Sequence, residues 1–422
     1  MTRIAVVNGV IIDVEKDRLL RANIFIEEGV IRRISDEHPD SSWHVIDAEG
    51  AYVAPGIFDM HVHLRDPGYE YKEDIESGLR AAVAGGVTRV AAMPNTKPVN
   101  GDPSVTEYMI NKAESLKLAE LYPVAAITKG QRGETLTEMG LLAEAGAVGF
   151  SDDGLPVENA EVMRRALEYA SLFGKPIIAH EEDRNLSAGG VINEGRISTL
   201  MGLPGIPSTA EEVMIARDVL LAGYTESHLH ICHVSTKGSV EIIRWAKKRG
   251  FPVTAEVAIH HLTLTEEDLY RAGYNTNFKM NPPLRTKEDV EALYEGLADG
   301  TIDAIVTDHA PHARSEKEVE FDKAPFGIIG LQTLLPLSIR LWRDNILTLP
   351  EIFRKLSTNP AKILGLDGGV IAEGQPAYIT VFSLEKYIFE ESMILSKSKN
   401  SPFIGWELEG KKKFIIVRDR VL

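Results

Sequence analysis

The sequence predicts an α/β fold in which a (β/α)8 barrel of the TIM type, residues 56–365, carries a small β-sandwich built from residues 1–55 and 366–422. Two observations predict the barrel. Eight short apolar strands alternate with helical stretches through the middle of the chain, and chemically versatile side chains gather where those strands stop. A third predicts the sandwich: both ends are rich in short β segments, neither has enough apolar surface for a core of its own, and chain termini commonly meet.

In order, the N-terminal strands fall at 4–7, 10–13, 24–27, 30–34 and 45–47, separated by Gly, Asp and Asn turns. The eight barrel strands follow at 56–63, 88–93, 122–127, 147–151, 176–180, 228–233, 252–257 and 302–307. Helical patterns come at 75–84, 104–115, 134–145, 158–173, 209–222, 238–248, 287–298 and 330–342. Strands at 370–371, 378–382 and 413–417 complete the chain. The alternative is a doubly wound open sheet, against which the eightfold strand–helix count weighs.

Asp and Glu number 62 against 46 Lys and Arg, a formal charge of −16. So acidic a chain repels phosphate backbones and anionic lipid, which argues against nucleic-acid and membrane partners. The basic run Lys411-Lys412-Lys413 reads as a solvated strand end. The one cysteine, Cys232, permits neither an intramolecular disulfide nor a cysteine-rich zinc site and is expected to be buried and structural. The N-terminus lacks the apolar core of a signal peptide and no long apolar run follows, so a cytoplasmic protein is expected.

The first barrel strand ends Asp59-Met-His-Val-His-Leu-Arg-Asp-Pro-Gly. Residues two apart share a face of a strand, so His61 and His63 can grip one cation. The fourth ends Ser151-Asp-Asp-Gly, either a plain Asp-Gly turn or a carboxylate offered to metal; the fifth delivers His180, a ligand or a satisfied core histidine. The sixth carries His228-Leu-His-Ile-Cys-His, whose alternation puts His228, His230 and Cys232 on one face and His233 on the other. Only one set can face inward. The eighth ends Thr307-Asp-His-Ala-Pro-His, placing Asp308 as a metal ligand, a proton acceptor or a turn cap. His260 and His261 read as structural. Histidines and carboxylates from strands one, four, five, six and eight converging on one barrel mouth suit two Zn²⁺ ions and the metal-assisted attack of water on an amide-like bond.

These segments, with Met93-Pro-Asn-Thr and Lys279-Met-Asn-Pro-Pro-Leu-Arg, resemble the bacterial class I dihydroorotases of the amidohydrolase superfamily over nearly the whole chain. The resemblance implies zinc-dependent, reversible cyclisation of N-carbamoyl-L-aspartate to L-dihydroorotate in de novo pyrimidine biosynthesis. It implies that His61 and His63 hold one zinc and His180 and His233 the second. Asp153 with a hydroxide would bridge the two where many relatives use a carbamylated lysine. Asp308 would bind metal and shuttle the proton. The bridging hydroxide would be the nucleophile.

By the same resemblance the substrate meets His63, Arg65, Asn95, Asn281, His312, Phe326 and Gly327. Arg65 suits a carboxylate because guanidinium makes a two-pronged contact. The charged stretch 313–324 reads as a lid or a solvated loop. Two departures stand out: Glu181-Glu182 follow His180 where relatives more often have cysteine, and Ala258-Ile259 precede His260 where a proline is more familiar. The family implies a homodimer and an aspartate transcarbamoylase partner. Rival readings are a hydantoinase, dihydropyrimidinase or allantoinase, against which Arg65 and Asp153 argue, and an inactive scaffold, against which the complete ligand set argues.

Overall fold

Parallel strands occupy Ile57–Val62, Val87–Ala92, Glu120–Pro123, Ile177–Ala179, Leu229–Ile231, Val253–Ala258 and Ala304–Val306 in the computed structural model, which describes residues 3–422. Residues 1 and 2 of the predicted 1–55 segment lie outside the described residues. The first three strands form one sheet and the last four another. Single-residue bridges join them: Phe150 pairs with both Ala125 and Ile177, and Val62 pairs with His309. The pairing therefore runs in a ring back to its first strand.

The predicted strand 147–151 is reduced to that one bridge at Phe150. The cause lies in the residues after it. The Asp152 carboxylate accepts the Thr128 amide at 3.0 Å and shares the Ile127 amide, at 2.9 Å, with the Ser151 carbonyl at 3.3 Å, which weakens the ladder there. Phe150, fully buried, still anchors the segment in the main core, worth about 1.5–3 kcal/mol.

Helices Ile75–Gly85, Pro103–Leu116, Ala160–Ser171, Thr209–Thr225, Lys237–Lys248, Lys287–Ala298 and Leu334–Arg343 stand close to where the periodicity predicts them. Side-chain caps set several starts: Asp74 accepts from the Ser77 amide, Asn159 from Glu161 and Thr286 from Asp289. The predicted helix 134–145 shrinks to Met139–Glu144, because the Thr137 hydroxyl bonds the Ala126 carbonyl at 2.7 Å and the chain turns only after it.

The chain ends contribute two further sheets. One orders Val30–Ser35, Asn23–Glu27, Arg3–Val7 and His44–Asp47; the other runs Arg420–Val421, Glu407–Val417, Tyr378–Ile388, Tyr52–Pro55, Val10–Asp13 and Arg18–Arg21. One apolar cluster draws Ile4, Ile24 and Ile26 from the first and Ile11, Val53, Ile379 and Ile416 from the second. Residues 370–371 form no strand: Gly368 and Gly369, both at positive φ, turn the chain just before them.

The segment between the two long C-terminal strands leaves that sheet. Phe389, Ile394 and Phe403 join the core of the parallel ring. Asn400, in the same segment, donates to the Ala310 and Gly327 carbonyls at 3.0 Å each and accepts the His312 amide at 3.1 Å.

Candidate active site

The strand spacing brings His61 and His63 together, as their period predicts. Their Nε2 atoms lie 3.4 and 3.3 Å from Asp153 Oδ2, and 3.5 and 3.0 Å from Asp308 Oδ1. The other Asp153 oxygen, Oδ1, lies 3.6 Å from His180 Nδ1 and 3.5 Å from His233 Nε2. One carboxylate thus faces two pairs of imidazoles, one pair on each oxygen. Three donor groups result: His61, His63 and Asp308; Asp153, His180 and His233; and His61, Asp153 and Cys232.

His61 Nε2 and Asp153 Oδ1 are buried without a hydrogen-bond partner. An unmet buried polar atom costs about 1–3 kcal/mol, and imidazole lone pairs facing carboxylates are what a divalent cation requires. The donor set fits metal. The electrostatics agree. Burial alone would raise the Asp153 pKa, but the imidazoles, His61 foremost, hold it well below the ordinary carboxylate range. Against burial, Asp153 and Glu182 push His180 up to about 10. Positive charge is favoured where these imidazoles face Asp153 and Glu182.

Three site residues depend on strained backbone. His233 and Asp308 adopt φ of 28° and 46°, as does Arg65 at 62°, a region that non-glycine residues rarely enter. This corrects the alternation argument for strand six. The strand stops at Ile231, and the turn at His233 swings its ring to Asp153 although His230 and Cys232 also point inward, both buried. Cys232 is buried, as expected, and lies beside His61 and Asp153. Of the paired carboxylates, Asp152 holds the turn and Asp153 faces the imidazoles.

Three of the four imidazoles are held from behind. His63 Nδ1 meets Asn95 Oδ1 at 2.8 Å, His61 Nδ1 meets Glu256 Oε1 at 2.5 Å, and His180 Nε2 meets Glu182 Oε2 at 3.0 Å. Glu182 also accepts from Asn281 Nδ2 at 3.0 Å. Glu182, Glu256 and Asn400 escape the sequence reading. Glu256 left one signal, a carboxylate inside an otherwise apolar strand, which must find a partner when buried. His261 is structural, its Nε2 donating to the Pro282 carbonyl at 2.8 Å beside Asn281.

Above these groups opens a cleft of about 310 Å³, lined by His63, Arg65, Asn95, Asp153, His180, His233, Asn281, Asp308, His312 and Phe326. His61 lies beneath it. Arg65 donates through Nε to the Pro311 carbonyl at 3.2 Å, leaving its outer nitrogens toward His312. Burial, with Arg65 and Lys72 beside it, drops the His312 pKa to about 2, so the ring is neutral. Gly327 stands behind Phe326; its amide donates to the Lys279 carbonyl at 2.9 Å and its carbonyl accepts from Asn400 and Lys317. The 313–324 stretch contains the short helix Arg314–Lys317, anchored by the buried Lys317 Nζ on the Pro325 and Gly327 carbonyls. A larger groove, about 700 Å³, lies beside the start of strand Glu120–Pro123 and holds no histidine.

No helix among the described residues is long and apolar enough to cross a membrane. A family model described as dihydro-orotase-like matches residues 50–239. Among solved structures, the L-hydantoinase (dihydropyrimidinase) of Arthrobacter aurescens is 26% identical with a TM-score of 0.89, over 100% of this chain and 96% of that one. A D-hydantoinase (dihydropyrimidinase) from a Thermus species is also 26% identical, with a TM-score of 0.82, over 99% and 94%. Sequence separates what fold does not. The dihydroorotase of Geobacter metallireducens is 53% identical over 95% of this chain and 94% of its own, and that of Syntrophus aciditrophicus 50% over 100% and 99%. With half its residues shared along essentially its full length, the chain belongs to the dihydroorotase family.

Proposed function

We propose that the chain is a class I dihydroorotase, interconverting N-carbamoyl-L-aspartate and L-dihydroorotate, and that it works at the cleft above Asp153. The observation that carries the site reading is the single carboxylate facing two pairs of buried imidazoles. In this reading the parallel ring, residues 56–365, is the (β/α)8 barrel, and the two terminal sheets, from 1–55 and 366–422, pack as a β-sandwich.

His61 and His63 would hold one zinc and His180 and His233 a second, with Asp153 between them. When bound, such a pair lowers the pKa of water and polarises a carbonyl. Arg65, Asn95, Asn281 and His312 orient the substrate, the guanidinium meeting its carboxylate. Asp308 Oδ takes a proton from the attacking water as it adds to the ring carbonyl. It returns that proton to the ring nitrogen as the C–N bond breaks, so the nitrogen leaves as the ureido NH2 and the carbonyl carbon becomes a carboxylate. Phe326 shields the cleft from bulk water.

The test is hydrolysis of L-dihydroorotate by zinc-loaded protein, with dihydrouracil and allantoin beside it. Turnover of dihydroorotate alone is expected; turnover of dihydrouracil or allantoin instead would move the chain to the hydantoinase group. Arg65→Ala is expected to raise KM for dihydroorotate about 10- to 100-fold, the 1.5–3 kcal/mol of a hydrogen bond to a charged group, with a smaller change in kcat. Unchanged KM would remove Arg65 from substrate binding.

A further inference from the structure

Inside the parallel ring, below the cleft, five polar side chains form a hydrogen-bonded column. His61 Nδ1 meets Glu256 Oε1 at 2.5 Å. Glu256 Oε2 meets His230 Nε2 at 3.1 Å, His230 Nδ1 meets Thr254 Oγ1 at 2.8 Å, and the same hydroxyl meets His228 Nε2 at 2.8 Å. His61, His230 and Glu256 are fully buried.

One charge orders the whole column. An ionised carboxylate only accepts, so His61 Nδ1 and His230 Nε2 both donate to Glu256. His230 Nδ1 then carries a lone pair and accepts the Thr254 hydroxyl, whose oxygen in turn accepts from His228 Nε2. His61 is left with its proton on Nδ1 and its lone pair on Nε2, the atom that faces Asp153 and Asp308 and has no hydrogen-bond partner. With Glu256 ionised and every imidazole neutral, as a metal ligand must be, this arrangement of the protons satisfies every contact.

We propose that Glu256, braced by His230 and Thr254, is the positioning residue that fixes the His61 tautomer and so sets the affinity of the metal held by His61 and His63. The inference rests on the reading of His61 as a ligand. A carboxylate behind a ligating histidine both orients the ring and raises its basicity, and its loss typically costs 10- to 100-fold in metal affinity. His230 holds the second carboxylate oxygen, and Thr254 in turn holds His230.

Glu256→Gln is the direct test. Its amide offers one acceptor and one donor and cannot accept from both imidazoles; where the donor turns to His61, the proton moves to Nε2 and the ligand is lost. Zinc-loaded protein titrated with a chromophoric chelator is expected to release one ion per chain about 10- to 100-fold more readily than wild type, the other unchanged. A merely structural role would lower the melting temperature of the metal-free protein and leave both affinities alone, which overturns the proposal. Should Glu256→Gln not fold, Thr254→Val, at a half-buried position, is expected to loosen the same ion by a smaller factor; unchanged affinities there would also overturn it. His61→Ala separates the two levels. If it leaves both ions bound, the ligand reading itself fails; if it frees the same ion while Glu256→Gln does not, only this inference fails.

Discussion

Asp308→Ala is expected to lower kcat for dihydroorotate by about 10²–10⁴-fold, the usual contribution of a positioned proton-transfer group, while most of the metal stays bound. The geometry supports both halves. Asp308 lines the cleft and its Oδ1 is 3.0 Å from His63 Nε2, so a proton taken there stays beside the reacting bond. Its position is fixed from below: the Thr307 hydroxyl is bonded to buried Asp59, and the His309 amide donates back to that hydroxyl at 2.9 Å. Metal retention follows because Asp153, the one carboxylate that faces both imidazole pairs, is untouched and His61 and His63 stay beside it. Steady-state kinetics with elemental analysis of the same samples decides it. Asp308→Asn sharpens the result, since it keeps an oxygen in place but cannot take the proton; its kcat is expected to fall as far as the alanine variant's. Near-wild-type kcat in either variant would end the shuttle role, and loss of metal in both would make Asp308 a ligand first.

What could be read in the sequence follows from how local each signal is. His61 and His63 are legible because a strand repeats every two residues and both fall on one strand. His180 and Asp308 are legible because each ends an apolar run. His233 contradicts period two, and the reason is a backbone at φ 28° beyond the strand end, which no alternation pattern encodes. The fourth strand is legible only as a short apolar run before Asp152; its shrinkage to Phe150 comes from a side-chain carboxylate competing for ladder bonds across the sheet. Glu256 and Glu182 are non-local in their effect: each matters through a ring delivered by another strand. Asn400 is the extreme case. It stands 90 residues from Ala310 and 88 from His312 in the sequence, in a stretch without periodicity, yet it ties both to Gly327. Pattern reading finds side chains that form the site; of those that hold them it names Asn95 and gives no role to Glu182, Glu256 or Asn400.

Asp153→Ala is expected to lose both metal ions and all measurable turnover, a larger effect than removing any one histidine. Each histidine serves one pair, whereas the Asp153 carboxylate serves two: Oδ2 lies within 3.4 Å of His61 and His63, and Oδ1 within 3.6 Å of His180 and His233. Alanine there leaves four buried imidazoles around a space with no carboxylate bridging the two pairs, and two cations brought that close would repel each other without it. The readout need not be activity. A ligand that binds only the folded chain stabilises it by RT ln(1 + [L]/Kd), about 4 kcal/mol when free metal is 1,000 times its dissociation constant. Wild-type protein should therefore melt at a lower temperature once a chelator is added, and the variant should melt at one temperature with or without it. Retention of one ion per chain would show that the carboxylate serves a single pair. The other pair would then bind independently, and the two-metal reading of the cleft would yield to a one-metal site in which Asp153 is an ordinary ligand.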